Sequence, residues 1–412
     1  MNTVPQRASH SRVSLWTMNF VIVFIINMLA FFGFYITTVG MPFYVASLGA
    51  GSLVIGLVTT LTATAAIIVR PFSGAAIDRL SRKVVLLLGL TIMAVSTLAY
   101  AVFPIIAIIL GLRVLHGVGW GLGSTATSTL AADAIPKIRF AEGMGYVGLG
   151  TSLATAIAPS LATGLVQSQG SGIMAMIIIA AASSAGGFVL AFFQRPQKDQ
   201  TKAELTKPKE LNGVKLADFF DQRASLPSLA MFLSAIGYAS IITFIAIHGQ
   251  VRGVNHIYIY FLVYAVVTII SRPPIGKLID RVGFFLPGTL SMLCIAISLV
   301  IISFATDIFI FCIAGIFAGI GMGTVITTMQ TMAVSAVPPR RRGVATATFL
   351  LGFDGGVAVG SVVAGFIAGA FGYGIMYAVM AVFPFIGCVI FITLGNKRIA
   401  RYSQQTVALE QQ

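Results

Sequence analysis

The chain has 412 residues, of which 57% are apolar and only 9% charged, with a mean hydropathy of +0.96. Soluble globular domains carry roughly a quarter charged residues, so the composition excludes one and points to a polytopic membrane protein. The formal net charge of +14 is no sign of nucleic-acid binding, because the basic residues do not build a surface with interleaved aromatics.

Crossing a bilayer takes about 20 apolar residues as a helix. Runs bounded by Gly, Pro and charge clusters predict twelve spans, near 17–39, 53–76, 84–103, 105–132, 143–166, 172–194, 226–247, 256–275, 286–305, 308–336, 343–369 and 373–394. The expected fold is all-α: twelve transmembrane helices in two pseudo-symmetric six-helix bundles. Residues 1–194 form the first bundle, 195–225 a charged, solvated cytoplasmic linker with a short amphipathic helix at Leu216–Phe220, and 226–412 the second bundle with its tail. With the N-terminus inside, every Lys and Arg except Arg113 and Arg252 falls on a cytoplasmic end, loop or tail. This positive-inside pattern predicts a multi-pass protein of the inner (cytoplasmic) membrane with both termini cytoplasmic. Cys294, Cys312 and Cys388 lie in predicted spans and imply no disulfide framework. The first span reads as retained rather than as a signal peptide.

That first span carries Asn27, Phe31, Tyr35 and Thr38 on one helical face, either a packing face or part of a substrate cavity. The second span ends in Arg70-Pro-Phe-Ser-Gly-Ala-Ala-Ile-Asp-Arg79. The eighth ends in Arg272-Pro-Pro-Ile-Gly-Lys-Leu-Ile-Asp-Arg281, with the same R-P-x-x-G-x-x-x-D-R pattern 202 residues on. Half a chain length between copies marks a duplication, and each copy is expected as a loop at the membrane surface. Gly74 permits close helix approach. Asp78 can accept from the amide-rich start of a neighbouring helix. Arg79, Arg82 and Lys83 hold the turn at the cytoplasmic face, and Asp280 and Arg281 repeat the latch in the second half.

Gly74, Asp78, Arg79, Arg82 and Lys83, with Ser81 in place of a second glycine, resemble the G-x-x-x-D-R/K-x-G-R-K/R signature of the major facilitator superfamily, specifically its proton-driven drug-exporter branch. The resemblance covers the whole chain. It implies two bundles that alternate between inward- and outward-open states around a substrate held between them. In the fourth span, Arg113-Val-Leu-His-Gly117-Val-Gly119 is similar to the family's R-x-x-x-G-x-G element, which implies a part for Arg113 in proton coupling. His116, beside it, is either a satisfied packing residue or a second coupling site, and Trp120 follows one turn on. The resemblance also pairs Asp133, at the end of this span, with Arg82. At an offset of 202 these two become Ser335 and Phe284, a joint loss that fits a real pair.

Gly150, Ala154 and Ala158 of the fifth span map onto Gly352, Gly356 and Gly360 of the eleventh. Small residues every fourth position let backbones approach, so both stripes are expected at the contact between halves. Ala158-Pro159 stands where antiporter relatives often have Gly-Pro. Asp354 is the only acid near the middle of a span. It lies about 200° around the helix from the small stripe, facing protein or a wet cavity. It either carries the coupled proton, with Arg113 sensing its charge, or serves as a structural partner to Arg113 or another polar group. In the second half, Tyr238 and Gln330 are candidate cavity residues beside Asn27, Phe31, Tyr35 and Trp120.

These features predict proton-coupled export of a small amphipathic molecule or drug. The alternatives are export of an endogenous sugar, metallophore or peptide-like product, and less directly uptake by symport. No G-x-x-x-x-G-K-[ST] phosphate loop occurs, which argues against a primary pump. An intramembrane enzyme would need clustered carboxylates or His, and a membrane sensor would need no proton-linked residue. No cofactor or metal is expected, the proton gradient being the driving force. The expected partners are a small-molecule substrate and membrane lipid, with no nucleic acid, and the chain is expected to act as a monomer.

Overall fold

The computed structural model describes residues 14–136, 139–168, 171–194, 220–337 and 342–394, and among these no side-chain statement applies to residues 74, 75, 78, 79, 140–142, 273, 276, 277, 280, 342 and 343. In chain order the first half supplies α1 (Met18–Ser47), α2 (Ser52–Arg79), α3 (Arg82–Val102), α4 (Ile106–Ala134), α5 (Phe140–Gln167) and α6 (Gly172–Phe193). After a 3-10 turn, Gln222–Ala224, come α7 (Ser225–Val251), α8 (Tyr258–Val282), α9 (Phe285–Phe304), α10 (Ile308–Ser335) and α11 (Arg342–Met380), with further helical turns over 382–394. Ten helices among the described residues are long and apolar enough to span a membrane, and Tyr258–Arg272 is a shorter apolar stretch. The last long stretch, Val344–Leu394, covers 51 residues. Gly372, at φ 82° and ψ 166°, breaks its helical path. The expected amphipathic helix at 216–220 falls almost wholly outside the described residues.

The helices start and stop where local chemistry says they should. The Phe20 amide donates to the Thr17 hydroxyl at 3.2 Å, and the Phe309 and Ile310 amides donate to the Asp307 carboxylate at 2.8 and 3.1 Å. Both are N-caps that satisfy amides a helix start leaves without a partner. Outward-facing positions are apolar: Ile68, Val95, Phe304 and Phe309 are all more than half exposed. Such a surface is tolerable only against lipid. Helix α7 is the exception, being buried on nearly every side.

The repeated R-P-x-x-G-x-x-x-D-R stretches are not loops. They are the last turns of α2 and α8, and the turn proper is confined to Leu80–Ser81 and Gly283–Phe284. Pro71 is absorbed within α2, where the Ser73 hydroxyl donates to the Arg70 carbonyl at 2.8 Å. Ser81 has φ 137° and ψ 153°, a region that only glycine enters without strain. Its counterpart at the 202 offset is Gly283, also at positive φ. The missing glycine of the first signature is therefore a strained serine held in a glycine conformation.

The small-residue stripes serve contacts inside each half, which corrects their assignment to the boundary between halves. A Cβ on Gly352, Gly356 or Gly360 would meet the backbone carbonyl of Ser228, Phe232 or Ile236, all on α7. Gly150 lies against Phe24 of α1, and Ala154, Ala158 and Pro159 are buried along the same helix. The helices named for the boundary are correct but the face is the opposite one. On α11 that face meets α2: Gly365 sits against the Ser52 carbonyl, and the Thr60 hydroxyl donates to the Ala358 carbonyl at 2.8 Å. Thr243 of α7 bridges Thr59 and Ser361, each at 3.2 Å. The α5–α8 seam is closed by Ser160 donating to the Tyr258 carbonyl at 3.0 Å and by the Ile257 amide donating to Gln167 at 3.1 Å.

Gly356→Val should destabilise the detergent-purified protein by about 1–3 kcal/mol through overpacking on α7. Gly148→Ala, mid-helix with open space around its Cβ, should instead raise stability by about 0.5–1 kcal/mol. Ser81→Gly should raise stability by about 1 kcal/mol, since the relieved backbone strain of about 1–3 kcal/mol outweighs the few tenths lost with the cap to the Val84 amide. Thermal unfolding followed by tryptophan emission measures all three.

Candidate functional site

The glycine run of α4 positions the centre of the molecule. Gly117 and Gly121 lie on the α2 backbone at Thr62 and Ala66, while Gly119 meets the Gly89 carbonyl of α3. With no side chain on either face, α4 beds down between two helices and carries Arg113 and Trp120 into the interior. There a small cavity of about 30 Å³ lies between α1, α2, α4, α7 and α11. Tyr35, Thr59, Thr62, Arg113, Trp120 and Asp354 are among its lining residues. The volume suits a water or two and no organic substrate.

Arg113 is completely buried. Its Nε donates to the Val58 carbonyl at 3.0 Å, and its own carbonyl accepts from Thr62 at 3.2 Å. Its terminal nitrogens face the Tyr100 hydroxyl, a neutral side-chain partner on α3. Asp354 lines the same cavity, but its ion pair is with Arg70, at 2.7 Å across the α2–α11 seam. The partner considered from sequence was Arg113. Arg70 was read there only as the first letter of a repeat.

Seen at the 202 offset, the ion pair has a counterpart. Arg272, equivalent to Arg70, reaches from α8 across the other seam and donates to the hydroxyl of Ser152 on α5. Ser152 is the equivalent of Asp354. The two contacts thus occupy related positions on the two seams, one ionic and one neutral. Tyr35 lies between them, within electrostatic reach of Asp354, Arg70, Arg272 and Tyr264.

The other candidate cavity residues divide. Trp120 stacks on Phe34 at 3.9 Å and 12°, and Phe31 meets its edge at 4.8 Å. Tyr238 stacks on Tyr264 at 6.3 Å and 25°, close to Tyr35. Asn27 donates to the Thr151 hydroxyl at 2.8 Å and so ties α1 to α5. Gln330 is exposed on α10 and does not line the cavity. His116 is fully buried with Nε2 3.3 Å from the Thr37 hydroxyl and Nδ1 3.3 Å from those of Ser96 and Thr97. Hydroxyls therefore surround it on α1 and α3, behind the cavity wall. Thr59 and Thr62 of the lining carry no sequence signal that separates them from ordinary helical threonines.

At the α2–α3 turn, Arg82 and Asp133 form an ion pair, each side chain about a third exposed. Arg82 opens α3 and Asp133 lies in the last turn of α4, so each charge occupies the unfavourable end of its own helix. Their pairing offsets both penalties. Lys83 donates to the Phe192 and Gln194 carbonyls at 2.9 and 3.2 Å, a cation closing the end of α6. Arg281 is exposed. The side-chain roles expected of Gly74, Asp78, Arg79 and Asp280 lie outside the described residues.

The Major Facilitator Superfamily profile matches residues 23–306 and 262–406. The staphylopine export protein of Staphylococcus aureus is 25% identical over 366 residues, covering 87% of this chain and 92% of its own length. The uncharacterized MFS-type transporter YhhS of Escherichia coli strain K12 is 25% identical over 361 residues, covering 84% and 85%. Among solved structures, the nucleoside transporter NupG superposes with a TM-score of 0.74 at 14% identity, over 92% of this chain and 99% of its own. A bacterial homolog of the human lysosomal transporter Spinster, inward-facing and unoccupied, superposes with 0.74 at 17% identity, over 93% and 97%. At these identities the structural likeness concerns the fold.

A double-mutant cycle on Arg82→Ala and Asp133→Ala should give a coupling of about 0.5–1 kcal/mol, discounted for solvent screening, with the double variant no less stable than either single one. Strictly additive losses in thermal unfolding would separate the two residues.

Proposed function

The chain belongs to the Major Facilitator Superfamily, and from that premise we propose that it is a proton-coupled exporter of a small amphipathic molecule, working by alternating access. It is a multi-pass membrane transporter and not an enzyme. The finer reading places it in the inner membrane as a monomer with both termini cytoplasmic and twelve crossings. Fifty-one residues of unbroken helix would measure about 75 Å against a hydrocarbon core of about 30 Å, so the break at Gly372 divides two crossings. Residues 1–194 and 226–412 are then the two bundles, joined by 195–225.

The observation that carries the proton-coupling reading is the Arg70–Asp354 pair beside the small central cavity. Ionised, Asp354 holds α11 to α2. Protonated, it loses its charge attraction to Arg70, the seam loosens, and the cavity can open. Arg113, on the same cavity, responds to the change in local charge. Asp354 is the proton carrier in this scheme and Arg113 its electrostatic neighbour. His116 is the secondary candidate, reached only through the hydroxyls around it. The Arg82–Asp133 pair, with Lys83, Asp78, Arg79, Asp280 and Arg281, forms the latch at the membrane face.

Export rather than uptake is supported by the staphylopine export protein among the relatives. The same relative favours an endogenous metabolite, metallophore-like or peptide-like, as cargo. A second reading, efflux of drug-like aromatics, is supported by the Phe34–Trp120 stack at the cavity.

In everted vesicles that overproduce the protein, extrusion of the cargo should collapse an imposed pH gradient. Asp354→Asn should reduce this proton-linked flux at least tenfold while leaving the protein folded. Wild-type flux in Asp354→Asn, or flux indifferent to the gradient in the unaltered protein, would contradict the proposal.

A further inference from the structure

The centre of the molecule carries more positive than negative charge. Among the described residues, Arg113 and Asp354 line the cavity with Tyr35, and Arg70, Arg272 and Asp354 are within electrostatic reach of Tyr35, three guanidinium groups to one carboxylate. Asp354 is engaged by Arg70. Among the described residues, Arg272 has the neutral Ser152 hydroxyl as its hydrogen-bond partner and none at its Nε. Arg113 is fully buried, with the neutral Tyr100 hydroxyl and no carboxylate as its side-chain hydrogen-bond partner among the described residues. By backbone position, Asp78 and Asp280 stand eight residues along their helices from Arg70 and Arg272, and Glu142 stands ten from Ser152. At 1.5 Å per residue this places them about 12 Å or more away along the helix axes.

Buried guanidinium groups without a counterion are costly, and an arriving anion relieves that cost. The planar fork of an arginine matches a carboxylate or a phosphate oxygen pair. We propose that the central site takes an organic anion, its charged group drawn by the positive charge that Arg113 and Arg272 leave uncompensated and its apolar part laid against the Phe34–Trp120 stack. Ser152 is the specificity-determining position on the second seam. Where the first seam has Asp354 to neutralise Arg70, the serine leaves Arg272 uncompensated and open to cargo. This deepens the transport reading and rests on the central cavity being the cargo site.

The probes are 2-naphthoate, 2-naphthyl phosphate and 2-naphthylmethylammonium, which share one ring system and differ in charge. Binding to the purified full-length chain is followed by Trp120 emission in a Trp16→Phe background, where Trp120 is the sole tryptophan. One or both anions should bind at least tenfold more tightly than the ammonium, and the comparison between them says whether carboxylate or phosphate is preferred. Arg113→Gln and Arg272→Gln should each weaken anion binding roughly tenfold or more, as expected for loss of a charged hydrogen-bond donor. Ser152→Asp, which gives Arg272 the carboxylate that Arg70 already has, should weaken it similarly, and this variant carries the test if either glutamine variant fails to fold. Asp354→Asn should tighten it. Preference for the ammonium, absence of anion binding, or indifference of anion affinity to Ser152→Asp would overturn the proposal. Anion-selective binding without proton-linked flux would remove the transport reading and keep this one, whereas proton-linked export of the ammonium probe alone would do the reverse.

Discussion

The ion pair between Arg70 and Asp354 is the constraint around which the rest of the centre is arranged. It joins the last third of α2 to α11, two helices from opposite halves, beside a cavity too small for an organic substrate. The guanidinium and the carboxylate facing each other in the seam offset part of the cost of burying each. Neutralising either group therefore changes the energy of the seam as a whole. An internal charge pair between two rigid bundles is a means by which a proton can bias a conformational equilibrium.

The duplication explains why the seams differ. Each half ends its second helix in an Arg-Pro step, and each of those arginines crosses to the facing helix of the other half at equivalent positions. One meets Asp354 and the other Ser152. Two-fold architecture thus carries a one-sided charge. The same asymmetry appears at the membrane face, where Arg82 and Asp133 pair in the first half while their counterparts are Phe284 and Ser335. It appears again in the turn after each repeat, where Gly283 adopts positive φ freely and Ser81 adopts it under strain. Local strain and the ion pair at the membrane face both belong to the first half's copy.

Much of the fold was legible in the sequence because apolar run length and bounding charges are strong, local signals. The predicted spans agree with helix limits to within a few residues at most ends, and α1 runs further, through Pro42 to Ser47. The R-P-x-x-G-x-x-x-D-R stretches were misread as loops because charge density suggests a surface turn, whereas a membrane helix carries its charges inward along its last turns. The glycine stripes were recognised as close-packing faces, but spacing alone says that backbones touch and not which helix they touch. Asp354 stood out as the only mid-span acid. Its partner did not, because contact across the seam depends on how two bundles dock. Applying the 202 offset to Asp354 as well as to the motifs gives Ser152, and that was the available signal for the second seam. The pairing of Arg82 with Asp133 was implied by the resemblance to the family signature, and their joint absence in the second half fitted it.

The most direct test of the account is the separation of α2 and α11 when Asp354 loses its charge. Spin labels at Ile68 and Val359, both exposed, in a variant with Cys294, Cys312 and Cys388 replaced, report that distance by pulsed dipolar spectroscopy in lipid nanodiscs. The account predicts that Asp354→Asn shifts the distribution toward a longer-distance population relative to the otherwise identical protein with Asp354 intact. Identical distributions in the two proteins would contradict a seam held by the Arg70–Asp354 pair.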